Sequence, residues 1–185
     1  MRPASNIEGL YFLESDEFSD HRGSLSRVFQ SSGLTDLDFD TTWHQAFISR
    51  TTKKNTVRGL HYQYGDGEEA KLIIPLSGEM FWIAVDLRRE SATFGAWQSA
   101  ILSEGRGQAL LVAPRFAHGC MSLSDSVEIF ILSNADPAPD YGGGIKWNDP
   151  DLKIKWPVLE GEPIISEAHA NFPDFAQFLR TRGKL

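Results

Sequence analysis

The stretch EMFWIAVDL, residues 79–87, constrains the fold more than any other part of the sequence. Because side chains alternate along a strand, the odd-numbered residues from Phe81 to Leu87 share one face, and all of them are apolar. The even-numbered residues from Met80 to Ala84 make the opposite face nearly as apolar. A strand that is apolar on both faces lies between two layers of structure or at a subunit interface. We therefore expect a layered protein built around this strand.

Shorter β-like segments precede and follow this strand, and turn signals separate them. The breakers include Gly65 and Gly67 and a run rich in proline and glycine at residues 137–144. Many short antiparallel strands with this punctuation are typical of a β-barrel or jelly roll. The further predicted strands are residues 23–30, 42–50, 56–63, 70–76, 97–102, 109–113 and 127–133.

Only the end of the chain has a persuasive helical spacing. Phe175, Phe178 and Leu179 recur at helical intervals after Pro173-Asp174, which predicts a short amphipathic helix. The chain has 185 residues and no repeat, low-complexity tract or charged linker. This length favours a single domain over residues 1–185, of the all-β class with a minor helix.

Charge and cysteine content exclude several classes of protein. The formal net charge of -7 argues against a nucleic-acid binder, which needs a basic face. No apolar run approaches the ~18 residues that a membrane span needs, and the start of the chain lacks the pattern of a secretory signal. Cys120 is the only cysteine, so we expect no intramolecular disulfide and a reducing, cytoplasmic location. An anionic small ligand stays compatible with this charge, because a few arginines in a cleft can hold a phosphate.

The segment RGLHYQ, which begins at Arg58, is the densest cluster of polar groups inside a β-like stretch. By alternation, Arg58 faces one side of the strand, while His61 and Gln63 face the other. Lys71 opens the next strand, and His118 follows the apolar segment at residues 109–113. If these strands line one mouth of a barrel, two imidazoles and an ammonium converge in a mostly apolar cavity, which is a plausible small-molecule pocket.

Proton abstraction beside a carbonyl is the chemistry that suits such a group. Imidazole, with an ordinary pKa near ~6.5, is matched to a general base at neutral pH. A lysine ammonium stabilises the enolate oxygen that develops as the proton leaves. This chemistry needs neither a metal nor an organic cofactor.

A metal site is the competing use of the same residues. The two histidines together with Glu68 or Glu69 make a candidate facial site for iron or manganese. Gln63, however, stands where such barrels usually place a second histidine, and the ammonium of Lys71 repels a dication. We keep a metal-dependent cupin as an alternative.

Short motifs follow one another in order along most of the chain. Together they resemble the dTDP-4-dehydrorhamnose 3,5-epimerase family, whose fold is a cupin-like jelly roll, a double-stranded β-helix. The motifs are FSDHRG from Phe18, RGLHYQ from Arg58, AKL from Ala70, GE from Gly78, VDLR from Val85, SATFG from Ser91, PRFAHG from Pro114, IKWNDP from Ile145 and ISE from Ile165.

The resemblance implies a reaction and roles for particular residues. The family inverts C3, C5 or both of a nucleotide-linked 4-keto-6-deoxyhexose, by deprotonation and reprotonation on the opposite face. By position, His61 resembles its general base, Lys71 its enolate stabiliser, and His118 a pocket residue near the sugar. Arg22 and Arg58 resemble its diphosphate ligands, a role that suits guanidinium geometry.

The resemblance also implies an assembly. Family members are homodimers that exchange edge strands and complete each other's nucleotide site. The two-sided apolar strand at residues 79–87 is consistent with such an interface. Gln45 and Gln63 are further candidates for binding the substrate.

Two positions depart from the family pattern where catalysis should lie. The family has a general-acid tyrosine on the strand after the His-Gly motif, and a count back from Trp147 without gaps places Ile131 there. Isoleucine has no proton to donate. The family pairs its base with an aspartate, and His169 stands at that position here. A neutral histidine can orient His61, but it lacks the charge that stabilises an imidazolium.

Other departures surround the same site. Phe47 occupies half of a usual Asp-Asn pair, and Arg27 stands where a glutamate is common. A run of glycines at residues 142–144 replaces a charged stretch, and we expect a more mobile loop there. Tyr141, just before these glycines, is a candidate source of a replacement phenol.

Three hypotheses follow from this pattern. The first is an epimerase with an altered substrate or with action at a single centre. The second is another sugar-nucleotide isomerase, in which Tyr141 or His169 takes the role of the tyrosine. The third is a non-catalytic protein that keeps the sugar-nucleotide cleft.

Overall fold

The computed structural model describes residues 2–3, 7–14, 17–34, 37, 39–158, 160–183 and 185. Within them the chain is mostly β-strand with two short α-helices, so the predicted all-β class is confirmed. No helix of this part of the chain is long and apolar enough to cross a membrane. The elements are β1 (Arg2–Pro3), β2 (Leu10–Glu14), β3 (Glu17–Asp20), β4 (Gly23–Ser26), β5 (Gln45–Thr51), β6 (Val57–Gln63), β7 (Lys71–Ser77), β8 (Glu79–Asp86), β9 (Trp97–Ser103), β10 (Gln108–Val112), β11 (Phe116–Ser122), β12 (Val127–Ser133), β13 (Gly142–Gly144), α1 (Glu167–Ala170) and α2 (Phe175–Thr181).

Two antiparallel sheets carry most of the structure. The first has six strands in the order β1-β2-β10-β7-β12-β5, and the second has five in the order β13-β6-β11-β8-β9. One buried cluster holds Ile73 and Ile129 from the first sheet together with Trp82 and Ala84 from the second. The main core therefore lies between the two sheets.

Strand β8 lies inside the second sheet, between β11 and β9. Phe81, Ile83 and Val85 pack into a second cluster on the outer face of this sheet, while Trp82 and Ala84 pack into the main core. The expectation of a strand between two layers is thus confirmed.

The C-terminal segment covers that outer face. Phe175 and Phe178 of α2 pack in the second cluster with Leu60 and Phe81. The buried carboxylate of Asp149 accepts hydrogen bonds from the backbone N–H groups of Leu152 at 3.0 Å and Phe175 at 2.7 Å. These bonds fix the start of α2 against the loop after β13. They hold the segment that carries α1 close to β6.

Comparison with the predicted strands shows where pattern alone fails. Most predicted strands are present within one to three residues of their expected ends, and residues 127–133 match β12. The strand predicted at residues 23–30 ends at Ser26. Strand β11 was missed, because His118, Gly119 and Ser122 break any simple alternation of apolar residues in this segment.

The hairpin of β3 and β4 forms a two-stranded sheet of its own. Its cross-strand partners Phe18 and Leu25 are 61% and 72% exposed. Two directly opposed apolar side chains share one face of a hairpin. The hairpin therefore presents an apolar face to solvent in the single chain.

Candidate active site

A cavity of about 410 Å³ lies where β6, β11 and β13 of one sheet approach β7 of the other. It is the cavity toward which the predicted base, ammonium and second histidine all converge. Its lining residues are His61, Tyr62, Gln63, Glu69, Lys71, His118, Gly142, Gly143 and Phe172.

His61 and His118 are neighbours because their strands pair in register. Strands β6 and β11 are antiparallel, with His118 directly opposite His61, and the two ring centroids are 6.3 Å apart. The ring of His118 stacks on Trp82 at 5.8 Å with an interplanar angle of 19°. Trp82 thus fixes the plane of His118 at the base of the cavity.

His169 reaches the same point from helix α1. Its Nε2 lies 2.9 Å from Nε2 of His61, so the two imidazoles share a direct hydrogen bond. The helix begins at Ser166, whose hydroxyl accepts the backbone N–H of His169. Phe172 stacks on His169 at 5.2 Å and meets the ring of His61 edge-on at 5.7 Å. The position predicted for the partner of the base is therefore in contact with it.

The environment keeps all three imidazoles neutral at neutral pH. Burial, followed by the neighbouring His169, Lys71 and Arg58, lowers the pKa of His61 to about 4. Burial lowers the pKa of His118 well below its ordinary value, with smaller contributions from Lys71 and His61. Burial, followed by the charge of Arg58, also lowers the pKa of His169. Neutral imidazoles have a lone pair, which a general base requires.

Lys71 enters the cavity as part of a polar trio. Its ammonium lies 2.8 Å from Glu69 Oε1, and the two side chains are 19% and 13% exposed. The hydroxyl of Ser133, directly opposite Lys71 in the ladder, donates to Glu69 Oε2 at 2.6 Å. This arrangement fixes a positive charge beside the imidazoles.

Glu69 and Phe172 are site residues whose roles sequence reasoning missed. Glu69 was considered only as a metal ligand, and it lies in the loop just before β7, where strand alternation gives no signal for its ion pair with Lys71. Phe172 follows His169 by three residues, which is one helical turn, and this spacing was the available signal.

Arg58 lies on the same side as His61, so the prediction that it faces away is wrong. The pairing of β6 with β11 shifts register, and Arg58 is opposite Cys120 while His61 is opposite His118. Cys120 and His118 are two residues apart and share a face, so their partners do as well. The guanidinium of Arg58 donates to Thr51 Oγ1 and to the Arg50 carbonyl, both at 3.2 Å.

Three predicted binding residues lie beside the cavity but do not line it. Ile131 packs against the main core, on the same face of β12 as Ser133. Phe47, its cross-strand partner, is 45% exposed, and the amide of Gln45 donates to the Ala135 carbonyl. They form the inner face of the first sheet next to the polar trio.

Three others lie elsewhere in the single chain. The hydroxyl of Tyr141 donates to Asp66 at 3.1 Å, and its ring packs on Tyr64, away from the cavity lining. Arg22 is at the hairpin turn, with its side chain 79% exposed. Arg27 donates to Gln30 at 3.1 Å and lines a separate groove beside the hairpin.

The glycines at residues 142–144 form strand β13 on β6 instead of a loop. They permit close approach of aromatic rings. A Cβ on Gly143 would lie 2.3 Å from the Tyr62 ring, and one on Gly144 would lie 2.4 Å from the Phe172 ring. Glycine at 144 therefore allows Phe172 to reach His169.

The geometry around the histidines bears on the alternative of a metal site. Within the described residues, no group of three or more His, Cys, Asp or Glu side chains has the geometry to hold a metal ion. The ammonium of Lys71 is also held beside the imidazoles, where it repels a cation.

Two antiparallel sheets with a polar cavity between them define a cupin-type β-protein, and the comparisons agree with this class. The model of the dTDP-4-dehydrorhamnose 3,5-epimerase family matches residues 4–177, so the chain belongs to that family.

Individual relatives support the same assignment. A dTDP-4-dehydrorhamnose 3,5-epimerase of Pseudomonas aeruginosa is 40% identical over 171 residues, 92% of this chain and 93% of that protein. An epimerase of Mycobacterium tuberculosis superposes with a TM-score of 0.93 at 25% identity, over 100% of this chain and 92% of that one. A 3'-monoepimerase from Streptomyces bikiniensis in complex with dTDP-quinovose gives a TM-score of 0.91 at 28% identity, over 100% and 92% of the two chains.

Proposed function

We propose that this protein, as one domain over residues 1–185, epimerises a nucleotide-linked 4-keto-6-deoxyhexose at C3, C5 or both, without a cofactor. The observation that carries the proposal is the neutral imidazole of His61 and the ammonium of Lys71 on one cavity. A dTDP carrier is the first choice, because the similar proteins are named for dTDP sugars.

The proposed reaction begins when His61 takes a proton from a carbon next to the C4 carbonyl. The electrons of that C–H bond form the enolate, whose oxygen is stabilised by the ammonium of Lys71. Return of a proton to the carbon restores the ketone. Inversion requires that this proton arrive on the face opposite His61.

We propose that the reaction is altered in its substrate or in the number of centres it inverts, because the side of the cavity opposite His61 has few groups that can donate a proton. Ile131 stands at the position of the general-acid tyrosine, and neither it nor Phe47 has a proton to donate. A missing general acid typically costs ~10²–10⁴-fold where it acts. Inversion at one centre is therefore favoured over two, and the similarity to a 3'-monoepimerase is consistent with this.

We also propose a homodimer that exchanges the β3–β4 hairpin. The hairpin pairs with neither large sheet and exposes Phe18 and Leu25, which an interface would cover. Arg22 at its turn does not line its own chain's cavity, but in an exchanged dimer it would serve the partner's diphosphate site, beside Arg58. The buried, unpaired thiol of Cys120 is consistent with a cytoplasmic location.

The proposed function is tested by incubation with dTDP-4-keto-6-deoxyglucose, and with its GDP and CDP relatives, in deuterated water. Mass spectrometry and proton NMR follow the label. We expect deuterium at C3 or C5 with the wild type and none with His61→Ala. A carbonyl shifted along the ring would instead indicate another isomerase. A thermal shift without any exchange would indicate binding only.

A further inference from the structure

Glu69 supplies the one carboxylate among the described residues that line the cavity. Its Oε1 lies 2.8 Å from the ammonium of Lys71, and its Oε2 accepts the hydroxyl of Ser133 at 2.6 Å. A carboxylate offers about four lone-pair sites, and these two contacts use two of them. The remaining lone pairs are free to meet a group bound in the cavity.

The carboxylate lies next to the position where a proton donor is missing. Ser133, which binds it, follows Ile131 by two residues on β12, so the two side chains share a face and are about 7 Å apart along the strand. Ile131 stands where the resemblance places a general acid. Glu69 and Ser133 belong to the wall formed by the first sheet, while His61 belongs to the second sheet.

An ion pair alone is a poor explanation for this carboxylate. An ammonium that only stabilises an enolate works best when its charge is not compensated. The contact with Glu69 compensates the charge of Lys71 inside the cavity, which weakens that effect. A second use of the carboxylate, in proton transfer, accounts for its presence there.

We propose that Glu69 is the proton-transfer group of the lysine side, and that it exchanges a proton with the reacting carbon on the face opposite His61. The proposal rests on the proposed function and deepens it, because it names the residue that makes inversion possible. His61 and Glu69 then act on opposite faces of one carbon, and Lys71 lies between the carboxylate and the enolate oxygen.

The protons balance over one turnover. His61 takes the proton of the substrate carbon, and the enolate forms. A proton of the Lys71 ammonium then crosses the 2.8 Å contact to Glu69, which leaves an amine and a carboxylic acid. Glu69 gives this proton to the opposite face of the carbon. The enolate electrons form the new C–H bond, and the electrons of the O–H bond return to the carboxylate. His61 finally loses its proton to water, and Lys71 regains one from water.

This sequence makes the donor slower than the base. His61 is neutral in the resting protein and accepts a proton at once. Glu69 starts as a carboxylate, which only accepts hydrogen bonds, and becomes a donor only after Lys71 has passed it a proton. Inversion through Glu69 is therefore real but slower than exchange at the His61 face.

The test compares Glu69→Gln with the wild type in deuterated water, with dTDP-4-keto-6-deoxyglucose as the substrate. Proton NMR measures label and inverted product separately. Glutamine keeps the size of the side chain, and its carbonyl can still accept from Lys71, but it cannot give a proton to carbon. We expect the number of inversions per exchange event to fall at least ~10-fold.

Glu68→Gln is the matched control. Glu68 precedes Glu69 in the chain, pairs with Arg115 at 2.7 Å and does not line the cavity. This control should keep the wild-type ratio of inversion to exchange. If Glu69 only fixes Lys71 in place, Glu69→Gln slows exchange and inversion by the same factor. An unchanged ratio in Glu69→Gln would therefore overturn the proposal.

Glu69→Asp is a second variant that keeps both charges of the ion pair. Its carboxylate is withdrawn by one methylene from the carbon, so the ratio should fall here as well. Circular dichroism and melting temperature show whether each variant is folded. A wild-type ratio in folded Glu69→Asp and Glu69→Gln alike would move proton donation to another group.

The wild type separates this proposal from the proposed function. Label without any inversion would overturn the role of Glu69 and leave proton abstraction by His61 standing. Inversion that survives in Glu69→Gln at the wild-type ratio would remove Glu69 alone. Neither label nor inversion in the wild type would overturn the proposed function, and the role of Glu69 with it.

Discussion

The two sides of the cavity differ in kind. The histidine side, His61, His118 and His169, comes from β6, β11 and α1, and it is rich in neutral nitrogens. The lysine side comes from the other sheet: Lys71 with Glu69 and Ser133, and next to them the apolar pair Ile131 and Phe47.

This difference shows how a site can remove a proton from one face of a carbon efficiently but return one to the opposite face slowly. Epimerisation needs a proton to leave one face of a carbon and another to arrive at the opposite face. The histidine side accepts a proton readily, and Lys71 stabilises the resulting charge. Among the described residues of the lysine side, the donors are the ammonium of Lys71, the hydroxyl of Ser133 and the neighbouring amide of Gln45, and each is already bound to another group. We therefore expect exchange to outpace inversion.

The largest effect should come from the histidine side itself. His61→Gln removes the proposed base and should slow deuterium exchange by about 10³-fold. His44→Gln is the matched control, because His44 pairs with Asp136 away from the cavity. Equal exchange rates in wild type and His61→Gln would move the base to another residue.

Because His61 is neutral in the folded protein, the free energy of unfolding should depend on pH. The pKa of His61 is about 4 in the folded chain, below its ordinary value, so the unfolded chain binds more protons between about pH 6.5 and 4. The free energy of unfolding is therefore greatest above pH 6.5 and falls by about 3 kcal/mol as the pH drops to 4. Urea titrations of wild type and His61→Gln check this, and a variant with the same slope would contradict it.

The charge of the lysine side is the next target. Lys71→Met removes the proposed enolate stabiliser and should lower the exchange rate by about 10²-fold. Glu69→Gln is introduced with it, so that no buried carboxylate is left unpaired. Exposed Lys155→Met is the control. An unchanged rate in the double variant would remove Lys71 from the mechanism.

A proton donor added to the lysine side should bring the rate of inversion closer to the rate of exchange. Ile131→Tyr extends a phenol from the face that Ser133 shares, and we expect about 10-fold more inversion per exchange event. Ile131→Phe supplies the same ring without the proton. If both variants invert alike, the effect is one of packing and not of proton donation.

The sequence predicted which residues line the cavity better than it predicted which face of a strand each side chain occupies. His61 and Lys71 lie in predicted strands and His118 follows one, so their convergence at one end of a barrel was foreseeable. Arg58 was assigned to the wrong face because a register shift depends on the partner strand. Tyr141 was a candidate proton donor because residue spacing does not predict the conformation of a loop. In the structure its hydroxyl binds Asp66 instead.

Contacts between distant segments were the least predictable part. The trio of Glu69, Lys71 and Ser133 depends on the register of β12 against β7, which alternation does not specify. The stacking of Phe172 on His169 depends on the close approach that Gly144 allows. The resemblance supplied the position of His169, and the structure supplied its atom-to-atom contact with His61.

The most direct test of this account is one time course with dTDP-4-keto-6-deoxyglucose in deuterated water, followed by proton NMR. The spectra report label and configuration at C3 and C5 separately. If the lysine side lacks an efficient proton donor, label appears at a carbon faster than inversion does, and inversion occurs at one centre only. Inversion at both centres that keeps pace with labelling would contradict it, because an efficient donor would then have to face His61.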